Sequence, residues 1–235
     1  MVADAGRLSR SVLADQVKER LLADILDGRH PPGSRIIETK VARELGTSQA
    51  PVREALRGLE ALGVVEITPF RGSRVRRPSR REIIEAYAVR STLEGLAARL
   101  AVPRMTDADL AGLAGHLEAM RSAARDDDGH GVAEADAQFH ARIVELADNV
   151  TLLKVWRSLE PFSRTYITLV APGADTHWTA GLHPGIVEAL RTRDPERVVA
   201  ALRDHFDRAS AHLAEGWQDD EAEAEAAPRT ASRPR

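Results

Sequence analysis

The 235-residue sequence contains no cysteine, which excludes a disulfide framework and every zinc site built on thiolates. Any metal ion would have to be held by histidine and carboxylate side chains. The sequence also lacks an apolar run near the roughly 18 residues that a membrane span needs, and its amino terminus lacks the apolar core of a secretory signal. We therefore expect a cytoplasmic protein that makes no contact with a membrane.

Common catalytic signatures are missing as well. The sequence has no Walker A loop, no GxGxxG after a strand, no GxSxG and no HExxH, so catalysis by the usual motif-bearing routes is unsupported. Hydrophobic residues make up 43% of the chain and charged residues 29%, which is typical of globular proteins. The length favours two folded domains.

Charge is unevenly distributed along the chain. Residues 1–78 contain 14 Lys/Arg and 10 Asp/Glu, a net charge of +4, whereas the remainder contains 19 and 26, a net charge of −7. A basic front half and an acidic rear half are typical of a protein that contacts nucleic acid at one end only. Because +4 is a mild signal, it must be interpreted together with the motifs.

The most informative segment is VARELGTSQAPVREALRGLEALGVV, residues 41–65, which predicts two short helices joined by a polar turn. The first helix is expected at about 40–45. The second opens at Ser48 or Gln49 and carries Arg53 on its exposed side, while its apolar residues recur near a 3.6-residue period. This pattern is the outline of a helix-turn-helix.

The next segment, VVEITPFRGSRVRRP, predicts a two-stranded wing. Its strands are expected at 64–68 and 73–76, joined by a turn that contains proline and glycine. A further helix is expected upstream, at about 11–28, where apolar residues again recur at helical spacing. Residues 11–78 are therefore predicted to form a winged helix-turn-helix domain, preceded by a flexible tail at 1–10.

The rear half shows only helical periodicity interrupted by helix breakers. We expect an all-α bundle over residues 79–216, followed by a disordered tail at 217–235. The chain as a whole is predicted to be mainly α. The six expected helices span about 80–101, 107–125, 130–147, 150–170, 175–192 and 195–215.

Histidine and aspartate residues in this bundle could form a metal site. Asp136 and His140 are four residues apart on one predicted helix and so share a face, and His183 and His205 fall on two later helices. One carboxylate and three imidazoles would suit Zn²⁺, Ni²⁺ or a similar divalent ion. His177 is a competing candidate for His183. An ordinary surface pair is the simpler interpretation of the Asp136–His140 spacing.

Arg90 lies in the first helix of the rear half, near apolar residues. An arginine on an inward face could hold the carboxylate of a small effector with two hydrogen bonds. Pairing with Glu94, or with a partner subunit, is the alternative, and the sequence does not decide between them.

Several segments of the sequence resemble those of one known family. The segment PPGSRIIETKVARELGTSQAPVREALRGLEALGVVEITPFRGSRV closely resembles the winged helix of GntR-type transcriptional regulators. The later segments VRSTLEGLAARLA, DAQFHARIVELADN and GLHPGIVEALRTRDPERVVAALRDHF resemble the effector domain of the FadR-like branch, called the FCD domain. Together the two resemblances cover about residues 12–214.

The resemblance implies a homodimer that binds a palindromic DNA operator, acts as a repressor, and rearranges when a small organic acid binds the helical domain. In family members with a metal, an Asp and three His hold the ion, which here would be Asp136, His140, His183 and His205. The family's DNA-binding positions correspond to Arg35, Lys40, Ser48, Gln49, Arg53 and Gly72.

Two positions depart from the family pattern. Many relatives carry Arg where Gln49 stands, and because Gln pairs well with adenine whereas Arg prefers guanine, the operator could differ from the commonest family sequence. Pro184 follows His183 where relatives continue with an ordinary helix former, so a helix could begin there and displace His183 from the metal site.

Two other classes of protein fit part of the pattern. A metal-dependent enzyme acting on a small acid could carry the front domain merely as an attachment to DNA, and it would turn the acid over. An architectural DNA-binding protein could carry the bundle for structural reasons alone. That protein would bind no metal and would show no thermal shift with any small acid.

Overall fold

The computed structural model describes residues 5–165 and 175–216. Within these ranges the chain is mainly helical, with one small three-stranded sheet in its amino-terminal part, so the mainly-α fold class is confirmed. Residues 1–4 of the expected front tail, residues 166–170 of the expected fourth bundle helix and the expected tail at 217–235 lie outside the described residues.

The amino-terminal domain combines three helices with the small sheet. Helix α1 begins six residues before the predicted start at residue 11, because residues 5–10 hold good helix formers and no proline. The elements of the domain are α1 (Ala5–Leu26), β1 (Arg35–Ile36), α2 (Glu38–Glu44), α3 (Gln49–Ala61), β2 (Val65–Thr68) and β3 (Gly72–Val75).

Helices α2 and α3 form the expected helix-turn-helix. Helix α2 ends at Glu44, and Gly46 two residues later has a φ of 63°, which suits glycine. The turn is closed by the Thr47 amide donating to the Ala42 carbonyl at 2.8 Å. The next helix begins with Pro51 in its first turn, where a missing N–H has no consequence. One face of α3 is buried against α1, and its buried residues are Pro51, Val52, Ala55, Leu56 and Leu59.

The wing contains one more strand than the sequence predicted. The sheet order is β1-β3-β2, and all pairs are antiparallel, with Arg35 opposite Arg74 and Thr68 opposite Gly72. Strand β1 has only two residues, too few to show the alternation by which strands are recognised in a sequence. Its pairing joins the start of the helix-turn-helix directly to the wing.

The carboxy-terminal domain is an all-α bundle, as predicted. The expected helix at 175–192 is two helices, because Gly181 and Pro184 interrupt it and the proline ring fits only the first turn of a new helix. The helices are α4 (Arg80–Ala101), α5 (Asp107–Arg125), α6 (Gly129–Leu146), α7 (Val150–Thr165), α8 (Thr176–Gly181), α9 (Pro184–Arg191) and α10 (Pro195–Gly216).

The bundle has a single apolar core. Helix α4 packs against α6 and α10, and α5 packs against α6. The large side chains at its centre are buried almost completely, among them Phe139, Trp156, Leu113, Met120 and Ile143. None of the described helices is long and apolar enough to cross a membrane.

Helix α4 starts with a capping box that we expect to contribute measurably to stability. The Ser79 hydroxyl accepts from the Glu82 amide at 3.3 Å, and the Glu82 carboxylate accepts from the Ser79 amide at 2.9 Å. Replacing Ser79 with Ala should lower the free energy of unfolding by about 1 kcal/mol, measured by urea denaturation. Replacement of the exposed Ser122 within α5 is the matched control and should change little; equal effects of the two substitutions would contradict the role of the cap.

Candidate functional sites

Three buried imidazoles meet in the interior of the bundle. His140 comes from α6, His183 directly precedes α9, and His205 comes from α10; one ring nitrogen from each lies within 4.8 Å of the others. Asp136, one turn before His140, places its Oδ1 3.0 Å from His183 Nε2 and 3.8 Å from His140 Nε2. The structure therefore brings together all four residues that the sequence singled out as possible ligands.

His183 keeps its place in the cluster despite the helix break beside it. Its backbone remains helical, with φ −92° and ψ −25°, and α9 begins at the next residue, Pro184. The His183 ring is fully buried, and its Nδ1 lies 3.1 Å from the Thr179 carbonyl. His177, the competing candidate, lies on the exposed side of α8 and is not one of the three clustered imidazoles.

A fully buried carboxylate, Glu94, fixes the orientation of His140. Glu94 Oε2 lies 2.5 Å from His140 Nδ1, while Oε1 accepts from Trp156 Nε1 at 2.8 Å and from Arg90 Nε at 3.1 Å. A carboxylate on Nδ1 places the proton there and leaves the Nε2 lone pair directed at the cluster. The sequence offered Glu94 only as a partner for Arg90, because contacts across 46 and 62 residues leave no trace in local spacing.

The hydrogen bonds of the cluster fit a cation at its centre. Nδ1 of His140 and Nδ1 of His183 both face acceptors, so in neutral rings both Nε2 atoms carry lone pairs, and these lie only 3.3 Å apart beside the Asp136 carboxylate. His205 Nδ1 is buried with no hydrogen-bond partner among the described residues. Converging acceptors of this kind are satisfied by a divalent ion, and an N₃O donor set suits Zn²⁺ or Ni²⁺.

The electrostatics of the site keep its carboxylates charged and His205 neutral. Burial alone would raise the pKa of Glu94, but His140 and Arg90 outweigh it and lower the pKa to about 2. Burial would likewise raise the pKa of Asp136, and His183 and His140 hold it below its ordinary range. Burial, reinforced by the two neighbouring histidines, lowers the pKa of His205 well below 6.5. Charged carboxylates and a neutral imidazole are the forms that bind metal ions.

Arg90 is buried beside this site. Its guanidinium lies between the rings of Trp156 and Phe206, at 5.5 and 5.2 Å from their centroids, and ion-pairs with Glu94. Burial would lower the pKa of Arg90, but the carboxylates of Glu94 and Asp136 raise it further than burial lowers it. Its Nη2 lies 2.9 Å from Glu94 Oε1, yet the geometry makes no hydrogen bond. The expected pairing with Glu94 is therefore present, and one nitrogen remains able to donate elsewhere.

The depressed pKa of His205 predicts acid sensitivity in metal-free protein. Below pH 6.5 the unfolded chain binds a proton at this residue that the folded chain does not. Stability therefore falls as the pH drops below 6.5, by at most about 1.4 kcal/mol per pH unit for one such group. Urea denaturation in EDTA at several pH values measures the slope. His205→Gln should reduce the slope and His177→Gln should not; identical slopes in all three proteins would contradict the assignment.

The six positions implied in DNA binding all lie on the amino-terminal domain and are all exposed. Ser48 and Gln49 stand at the start of α3, and Arg53, one turn later, has 55% of its side chain exposed while its Nε lies 2.9 Å from Glu38 Oε2. Lys40 lies on α2. On the wing, Arg35 passes beneath Gly72, where a Cβ atom would lie 3.4 Å from the guanidinium. A helix start and nearby cations are suited to phosphate and base contacts.

A helix-turn-helix with a wing, joined to a helical bundle that contains a buried cluster of histidines, is the architecture of a DNA-binding regulator with a second, helical domain. The amino-terminal part matches the model of bacterial regulatory proteins of the gntR family over residues 13–75, and the bundle matches the FCD domain over residues 85–208. The chain belongs to the GntR family and carries an FCD domain.

Similar proteins support this assignment over nearly the whole chain. A probable D-xylose utilization operon transcriptional repressor of Paenarthrobacter nicotinovorans is 37% identical, covering 87% of this chain and 90% of the relative. A gluconate operon transcriptional repressor of Bacillus licheniformis is 25% identical, covering 89% and 88%. A putative GntR regulator of Rhodococcus sp. RHA1 has a crystal structure that matches with a TM-score of 0.79 at 25% identity, covering 87% of this chain and 99% of that one. The protein is therefore a transcriptional regulator and not an enzyme.

Proposed function

We propose that the protein is a repressor whose affinity for its operator is controlled by a small organic acid bound at a metal site in the FCD domain. The observation that carries this proposal is the cluster of Asp136, His140, His183 and His205, whose ring nitrogens and carboxylate converge in the interior of the FCD domain. Operator binding places the protein with the DNA, in the cytoplasm. Both relatives described above are named as operon repressors.

The start of α3 is proposed to recognise the base sequence of the operator. Ser48, Gln49 and Arg53 would face base edges in the major groove, with glutamine suited to adenine and arginine to guanine. Phosphate contacts from Arg35, Lys40 and the backbone at Gly72 would set the register and the salt dependence of binding. All six residues are exposed, and Arg35 pairs with the wing strand β3 opposite Arg74.

A palindromic operator requires two copies of this domain, and the bundle offers an apolar surface for a second copy. Val89, Leu96 and Leu100 lie on one side of α4 with 48%, 44% and 36% of their surface exposed. Val155 on the adjoining helix α7 is 44% exposed. A twofold contact through α4 and α7 would bury these side chains, and reading two half-sites in successive major grooves would require the two α3 helices to lie about 34 Å apart, one turn of DNA.

The metal would hold the effector. Asp136, His140, His183 and His205 are the proposed ligands of a Zn²⁺ or Ni²⁺ ion, which when bound supplies positive charge that neutralises and orients a carboxylate. Arg90 lies beside the cluster, and its Nη2 is free of a hydrogen bond to Glu94, so it is proposed to donate to the same effector. Because the relatives regulate gluconate and D-xylose operons, sugar acids are the first effectors to test.

The link between the two domains is the proposed route of coupling. Arg76 pairs with Glu82 across the connection at residues 77–79, and His130 at the start of α6 lies 3.3 Å from Asp27 at the end of α1. Helix α6 also carries two of the proposed metal ligands. An effector can shift the arrangement of the DNA-binding domains only if it binds one arrangement more tightly than the other.

We expect a sugar acid to weaken operator binding by about 5- to 150-fold, the usual range for coupled sites. The probe is a duplex selected by the metal-loaded protein from a random-sequence pool, and the test acids are D-gluconate and D-xylonate. Affinity is measured with and without each acid, and thermal unfolding is recorded in parallel. The uncharged sugar D-xylose is the matched control. Unchanged operator affinity and unchanged melting temperature with both acids would contradict the proposed effector class.

A further inference from the structure

The tip of the wing presents an aromatic side chain that none of the contacts above uses. Phe70 has a relative exposure of 109%, the highest of the large hydrophobic residues in the described part of the chain. Phenylalanine side chains normally bury most of their surface, and one that lies wholly in solvent is available for contact with another molecule. This exposure could not be predicted from the sequence, because one apolar residue within a turn breaks no pattern.

The backbone holds this ring in an unusual position. Phe70 has a φ of 64°, in the left-handed region that bulky residues rarely adopt. The turn around it is fixed by the Arg71 amide donating to the Thr68 carbonyl at 3.0 Å, and by the pairing of Thr68 with Gly72. Such strain persists where the surrounding structure enforces it, most often at sites of function. In this turn the backbone projects the Phe70 ring beyond the ends of β2 and β3.

The surroundings of the ring are cationic. Arg71 is exposed directly beside it, the guanidinium of Arg35 lies against Gly72, and Arg74 stands opposite Arg35 in the sheet. An apolar tip flanked by arginines is poorly suited to an apolar pocket on another protein. It is well suited to the narrow groove of DNA, where two phosphate strands enclose the stacked bases.

The length of the wing is consistent with a contact between its tip and DNA. Strands β2 and β3 have four residues each, which gives an arm of about 13 Å at roughly 3.3 Å per residue. The major groove is about 12 Å wide. An arm of this length beside a helix in the major groove is long enough to cross one phosphate strand toward the neighbouring minor groove.

We propose that Phe70 enters the minor groove beside each half-site and wedges against one base step, which it partly unstacks. This inference rests on the operator binding proposed above. Pyrimidine–purine steps unstack most readily, so the wing would select such a step at a position that α3 does not touch. Because the ring carries no charge, its contribution should not depend on salt.

The experiment uses the full-length protein and a duplex that it selects from a random-sequence pool, with 2-aminopurine placed at successive flanking positions. Wild-type protein should raise the fluorescence at one step per half-site. Phe70→Asn introduces a residue that tolerates the left-handed backbone. This variant should abolish the fluorescence rise and weaken binding about tenfold, while the slope of log affinity against log salt concentration stays unchanged. Phe70→Trp should retain the rise. Arg71→Ala is the contrasting control and should reduce the slope.

Each other outcome is decisive. If wild-type protein selects no duplex, the operator proposal fails, whatever Phe70 does. If it selects one and Phe70→Asn binds within twofold with the same fluorescence rise, the wedge is refuted. A reduced salt slope for Phe70→Asn, or a changed oligomeric state on size-exclusion chromatography, also overturns it, since either result assigns the ring to phosphate positioning or to a protein contact. The melting temperature of Phe70→Asn should equal or exceed that of wild type.

Discussion

Replacing His140 with alanine is expected to abolish metal binding at the proposed site. His140 is 1% exposed, and its Nε2 lies 3.3 Å from His183 Nε2 and 3.8 Å from the Asp136 carboxylate, so its loss opens one side of the proposed coordination shell. Loss of a partner outside the ligands already reduces metal affinity by about 10- to 100-fold, and loss of a ligand should exceed that. We therefore expect metal content to fall from about one ion per chain to less than a tenth, measured by elemental analysis after dialysis.

The control for this variant is His177→Ala, which removes an exposed imidazole from α8 and should leave the metal content unchanged. Since His140 also partners the buried Glu94, the stability of His140→Ala must be compared with that of wild type in EDTA. A second variant, Asp136→Asn, keeps the shape of the side chain and removes only its charge. Equal metal content in wild type and His140→Ala would eliminate the site.

Replacing Arg53 with alanine will weaken binding to the selected operator by about 5- to 150-fold, which corresponds to 1–3 kcal/mol for one base contact. The fold should be unaffected. The side chain is 55% exposed, and its ion pair with Glu38, 2.9 Å long, is of the solvent-exposed kind that stabilises a protein by at most about 1 kcal/mol. Gel-shift titration measures the affinity, and thermal unfolding reports the integrity of the domain.

The matched control is Arg99→Ala, which removes an exposed arginine from the FCD domain where it pairs with Glu196. That variant has the same change in net charge but should bind the operator as wild type does. The salt dependence adds a further distinction. Removing a base contact leaves the slope of log affinity against log salt concentration unchanged, whereas removing a phosphate contact reduces its magnitude by about one. Arg53→Ala protein with wild-type affinity would show that α3 does not read the operator through this residue.

The sequence predicted most of the fold because the helices are long and strongly marked at their ends. The expected helices at 80–101 and 107–125 agree with α4 and α5, each of which starts with a capping box, at Ser79 and Thr106. Prediction was weaker where elements are short. The division of α8 from α9 was indicated only by Pro184, and the two-residue strand β1 depends on its pairing with β3 more than on periodicity.

The candidate site was predicted only in part. The four proposed ligands, Asp136, His140, His183 and His205, were candidates because they lie on three predicted helices, and the family resemblance implied the same set. Spacing by itself linked only Asp136 and His140. The outer partners, Glu94 with His140 and Trp156, could not be predicted, since they come from helices far apart in the chain. Buried polar groups acquire their partners through packing, and packing is not visible in one sequence.

Strand β1 has a consequence for how such a protein could tell operators apart. Because Arg35 and Ile36 pair with β3, the chain segment that enters the helix-turn-helix is hydrogen-bonded to the wing. This pairing is expected to hold the start of α3 at a constant distance from the tip of the wing. Each half-site should tolerate no inserted or deleted base pair within it. Any flexibility in operator architecture should be confined to the spacing between the two halves.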